Sequence, residues 1–131
     1  MTESNPERGD VEIELGGQKF VMRPTFEAMV QMEQATGIGM LDLALRAGGG
    51  TLGISETTHI ICAGITAATG NRATFDKFGP MVFKKGIMST IKPVADLMAN
   101  ALSGGEKPGE DQAAEQTESL TDASPPMPTE A

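Results

Sequence analysis

Val11-Glu12-Ile13-Glu14-Leu15-Gly16-Gly17-Gln18-Lys19-Phe20-Val21-Met22-Arg23-Pro24 is the stretch from which the fold can be read. Val11, Ile13 and Leu15 alternate with Asp10, Glu12 and Glu14, the period-2 pattern of a half-buried strand. Gly16-Gly17 suits a two-residue hairpin turn, whose central residues need φ > 0. Closing the chain there sets Leu15 opposite Gln18, Glu14 opposite Lys19, Ile13 opposite Phe20, Val11 opposite Met22 and Asp10 opposite Arg23. One face then holds Val11, Ile13, Leu15, Phe20 and Met22, and the other sets opposite charges across from each other twice. Each such pair contributes about 0.2–1 kcal/mol. Pro24 ends the second strand, because it cannot donate to the ladder.

Downstream the period changes to that of helices. Thr25 is read as the N-cap of a helix running to about Ala35, with Phe26, Met29, Val30 and Glu33 on one face and Gly37 as its left-handed C-cap. Met40 to Ala47 makes a short helix stopped by Gly48-Gly49-Gly50. Ser55 is the expected cap of a third, reaching Thr69, with Ile60, Ile61, Gly64, Ile65 and Ala68 as its stripe. Thr74 caps a fourth, which Gly79-Pro80 should kink or split. After Gly86 a last helix extends to about Leu102, with Ile87, Ile91, Val94, Met98 and Leu102 on one side and a bend or restart at Pro93.

A lone hairpin is marginal in water and needs helices on its apolar face. The expected fold is therefore α+β: an N-terminal two-stranded β-hairpin packed on a small cluster of four to five α-helices, followed by a disordered acidic C-terminal tail. The boundaries are a flexible N-terminus at 1–9, a domain at 10–103 and the tail at 104–131. The tail carries seven acids against Lys107 alone, a net −6 that leaves −2 of the total −8 for residues 1–103. Its only large apolar residues are Leu120 and Met127, too few to offset the entropy of ordering. It reads as a solubilising tail, with an acidic peptide that folds on a partner as the alternative.

Composition excludes several classes. With 131 residues one domain and a tail are expected. Five Phe, no Trp and no Tyr leave no stacking platform for bases, and a net charge of −8 repels phosphate backbones and anionic membranes. Nucleic acid and membrane are therefore not expected as partners. The most apolar run, Ile60 to Ala68, is far short of a membrane span, and Met1 to Asp10 lacks the apolar core of a signal peptide. One Cys and one His exclude a disulfide framework and a zinc finger.

No constellation of residues supports catalysis. Gly48, Gly50 and Gly53 match G-x-G-x-x-G, but they follow a helix instead of a strand, and no acid lies about 20 residues on. His59 stands beside the Ile60 stripe without an orienting partner. Cys62 lies among small and apolar residues and reads as a buried structural thiol. Glu33, on an apolar face, calls for a partner, for which Arg23 or a free helix N-terminus would serve, unless it simply reaches solvent. Lys84-Lys85 reads as a solvated face. Methionine is over-used, with nine in the chain. Met32 falls off the stripe of Phe26 and Val30 and is expected to be exposed. Core filling is the plainer role for these residues, and adaptable binding of apolar helices is the other.

The hairpin, then Arg23-Pro24-Thr25-Phe26, then Glu33-Gln34-Ala35-Thr36-Gly37, and at the end Met98-Ala99-Asn100-Ala101-Leu102-Ser103-Gly104-Gly105, together resemble the tail assembly chaperone family of long-tailed phages and gene transfer agents. The likeness spans about residues 10–105, and its structural motif is Gly16, Gly17, Arg23, Pro24, Thr25, Phe26, Glu33 and Gly37. The resemblance implies a non-catalytic protein without cofactor or metal. It would bind the tape measure protein, assist tail tube protein assembly in the bacterial host cytoplasm, and be absent from the finished particle. Self-association is a further expectation. A single hairpin offers fewer strands than a β-rich tube subunit, which favours this role over a structural minor tail or tail tube-associated subunit retained in the particle. Met29, Met32 and Met98 are the residues expected to form the client surface.

Overall fold

Alternation at Val11–Leu15 and Gln18–Met22 produces the two strands, β1 and β2, in a computed structural model that describes residues 4–105. They pair antiparallel in the expected register, Val11 with Met22, Ile13 with Phe20 and Leu15 with Gln18. Gly16 and Gly17 turn the chain with φ of 60° and 76°. Ile13, Leu15 and Met22 are buried, and Val21 on the opposite face is buried as well. The charged face differs in detail: Lys19 Nζ lies 3.9 Å from Glu12, diagonally, while Glu14, directly opposite, is not its ion-pair partner.

Among the described residues five helices follow: α1 (Phe26–Thr36), α2 (Met40–Gly49), α3 (Ile54–Thr69), α4 (Phe75–Lys85) and α5 (Ile87–Leu102). The fold is thus α+β, a two-stranded hairpin on a helical cluster. α3 is its centre, touching α1, α4, α5 and β2. It is buried nearly all round from Thr57 to Ile65, as a helix enclosed by neighbours must be. Gly64 lets β2 approach: the Arg23 N–H donates to the Gly64 carbonyl at 2.9 Å, and a Cβ at position 64 would stand 2.8 Å from Met22 Cβ. Leu43 and Ala47 of α2 and Val94, Leu97, Met98 and Ala101 of α5 complete the core, with Phe78 and Val82 of α4.

Several expectations are corrected. The buried face of α1 is Ala28, Met29 and Met32, and Phe26 is 77% exposed. Phe26 occupies the first helical position, and the i, i+4 line that meets α3 runs from Ala28 to Met32. Met32 is fully buried instead of exposed, and Met98 is buried as well, while Met29, 7% exposed, lines a groove beside Pro24 and Phe26. On α5 the buried line includes Leu97 and Ala101, while Ile87 and Ile91 are half-buried and Leu102 is exposed. The cap of α3 is Gly53, not Ser55, because the Glu56 carboxylate accepts from the Gly53 N–H at 2.9 Å. Pro80 and Pro93 lie inside continuous helices, so neither splits or restarts its helix. The break falls at Gly86, the single residue between α4 and α5.

The flexible N-terminus expected over residues 1–9 is not what residues 5–9 form. Asn5 caps a 3-10 turn at Pro6–Arg8, and buried Gly9 accepts a hydrogen bond from Asn100 Nδ2 at 2.9 Å. The tail expected over 104–131 lies, from residue 106 onward, outside the described residues.

Candidate functional site

The residues that could carry chemistry are placed in structural roles. Cys62 is buried in α3, and burial pushes its thiol up to about 11, away from the thiolate a nucleophile needs. His59, half-buried, lies against the Phe75 ring at 4.6 Å between centroids. At the glycine run, Gly50 is the left-handed C-cap of α2. Gly53 opens α3, but the position where a phosphate would sit is taken by Glu56, itself 3.4 Å from Arg46. Among the described residues no three His, Cys, Asp or Glu side chains converge as a metal site, and no helix is long and apolar enough to cross a membrane.

The polar motif residues instead fasten elements together. Asp10, its side chain wholly buried, accepts from Arg23 Nε and Nη2 at 2.8 Å each and from the Asn5 N–H at 2.8 Å. Hydrogen bonding to Asp10 holds the Arg23 guanidinium pKa above its ordinary value. Arg23 is therefore engaged, and Glu33 takes the other partner that sequence offered, the N-terminus of α2, where its Oε2 accepts from the Met40 N–H at 2.8 Å. Thr25 caps α1 through the Ala28 N–H, and Gly37 ends it at φ 73°. Each of these residues shapes the scaffold.

What remains for function is the surface, and here the apolar residues stand out. Leu41 and Leu45, one turn apart on α2, are 62% and 69% exposed, on the face opposite buried Leu43 and Ala47. Phe83 and Met88, flanking the α4–α5 corner, are 76% and 77% exposed. Near the end of α5, a groove between Pro24, Phe26, Val30, Met40 and Gly104 runs past exposed Phe26. A helix that needs only one apolar stripe to join its core carries a second on α2, which suits contact with another protein surface. Leu41 and Leu45 carry no expectation from the sequence. The signal was present in Met40-Leu41-Asp42-Leu43-Ala44-Leu45-Arg46-Ala47, where leucines recur every two residues and so populate both sides of a helix.

Residues 8–104 match the family described as phage tail tube protein, GTA-gp10. Comparison with curated proteins and with solved structures finds no match. The family match overturns the expectation of an assembly chaperone that leaves before the particle is finished, since the matched family is one of tail tube proteins.

Proposed function

Because the chain belongs to the phage tail tube protein family of GTA-gp10, we propose that it is a structural subunit of a phage or gene-transfer-agent tail, retained in the finished particle. It is made in the bacterial host cytoplasm and works without catalysis or cofactor. Its partners are other tail components: copies of itself or neighbouring tube subunits first, and the tape measure protein second.

The observation that supports this reading beyond the family match is the second apolar stripe of α2, Leu41 and Leu45. Those two side chains add nothing to the domain's own core, and covering them in an assembly removes apolar area from water at about 25 cal/mol per Å². Among the described residues the sheet has two strands, which leaves such helix faces as the larger surface for subunit contacts. Quantitative mass spectrometry of purified particles tests the proposal. Stoichiometric presence alongside other tail proteins is the expected result. Abundance in producing cells with absence from particles would refute retention.

A further inference from the structure

The solvent side of α2 is a surface complementary to itself. Leu41 and Leu45 stand on it one turn apart. Gly48, next along the same stripe, has no side chain, and no atom lies within 4 Å of where its Cβ would stand. One flank of the stripe carries two opposite charges, Asp42 in the first turn and Arg46 in the last. Within the chain, Arg46 Nε and Nη2 each lie 3.4 Å from the Asp42 carboxylate, and Nη1 lies 3.4 Å from Glu56. Well-made bonds of this kind are about 2.7–2.9 Å long. The guanidinium is thus loosely held and has room for a closer carboxylate.

We propose that free subunits pair through this face, α2 against α2 of a second copy, antiparallel about a two-fold axis. Leu41 of one copy then packs on Leu45 of the other. The axis also sets Asp42 across the seam from Arg46 of the second copy, and does so twice. A parallel arrangement would set Asp42 beside Asp42 and Arg46 beside Arg46 and would align the two helix dipoles, so charge selects the antiparallel one. α2 has ten residues and is about 15 Å long, a patch smaller than the about 800 Å² per partner of a standard interface. The pair is therefore transient. A two-fold contact uses the same patch on both copies, so it closes at two and leaves no end open for further addition. This goes beyond the structural role proposed above, because it covers the leucines in subunits not yet assembled. It does not depend on that role: retention in particles and pairing in solution are separate measurements.

Sedimentation equilibrium of the full chain, from about 10 µM to about 1 mM, tests the proposal. The expected result is a reversible monomer–dimer equilibrium with no larger species. Leu45→Ser should lower the association constant by about tenfold or more with Tm unchanged, while Phe26→Ser, which removes an exposed side chain of α1, should leave it as it is. Asp42→Arg should weaken pairing by a similar factor, and mixing that variant with Arg46→Asp should restore pairing between unlike copies. A chain still monomeric at about 1 mM would overturn the proposal. So would growth past the dimer, which marks a head-to-tail contact. A constant unchanged in Leu45→Ser places the contact away from α2, and one unchanged in Asp42→Arg removes the antiparallel geometry; either result overturns it.

Discussion

Replacing Gly64 with alanine places one methyl group where β2 crosses α3, and its effect can be worked from the distances. The new Cβ would lie 2.8 Å from Met22 Cβ and 3.2 Å from Leu97 Cδ2. Ordinary carbon contacts are about 3.5–4.0 Å, so the first neighbour must retreat by about 1 Å. Met22 Cβ belongs to the strand itself, and the next residue is bonded to the Gly64 carbonyl, so no rotamer change relieves the clash. Overpacking costs about 1–3 kcal/mol, and this rigid site belongs at the upper end. Alanine returns about 1 kcal/mol of helix propensity, leaving a net loss of about 2 kcal/mol. For a domain of this size that is roughly 8–16 °C in Tm by calorimetry or circular dichroism. Gly48→Ala is the matched control: it lies exposed in the last turn of α2, and no atom stands within 4 Å of a Cβ there. It should raise Tm by a few degrees, from about 0.5 kcal/mol of propensity. A Gly64→Ala protein that melts at or above the wild-type temperature would refute the close-approach reasoning.

Asp10→Ala strands the Arg23 guanidinium and the Asn5 N–H, and should cost about 3–5 kcal/mol in denaturant unfolding, with Asp10→Asn costing less. Glu33→Ala removes the acceptor for the Met40 N–H and should lose about 1 kcal/mol, seen as a drop in Tm. Leu41→Lys with Leu45→Lys should leave each copy's stability within about 1 kcal/mol while abolishing incorporation into particles, a split that a core role for either leucine could not produce. For Cys62 the folded thiol keeps its proton to about 11 against an ordinary 9.0. The stability this contributes is complete below pH 9 and is lost as pH rises through about 11, and Cys62→Ala should flatten that decline in pH-dependent melting. The same burial should make the thiol unreactive toward alkylating reagents at pH 8 until the chain unfolds.

The hairpin could be read to the residue because period, turn and cross-strand charge are local and independent, and each pointed to one register. Helix positions were legible for the same reason, since Thr25, Gly37, Gly50 and Thr74 mark ends by local chemistry. Which side of each helix is buried was less so. On α1, Phe26 outweighs its neighbours in bulk, yet the buried line is the one that a central helix can reach, Ala28 to Met32, and that is a tertiary fact. Met32, expected on the surface, is buried for the same reason. Gly79-Pro80 was expected to kink or split α4; the helix is not split, since a proline costs it one hydrogen bond and here that bond lies on an exposed turn. The surface was the least legible part. Leu41 and Leu45 differ from core leucines only in what fails to cover them, and no single-chain pattern records a missing neighbour.

The meeting of Gly9 with Asn100 has a bearing on how the chain comes to be folded. That hydrogen bond encloses about ninety residues, so it is among the costliest contacts in loop-closure entropy and belongs late in the folding sequence. A nascent chain that has emerged only through α4 holds the hairpin and the central helix but lacks the element that locks the amino end. The amino end is therefore fastened to the last helix, and the domain's completion waits on nearly the last residues of α5 to leave the ribosome.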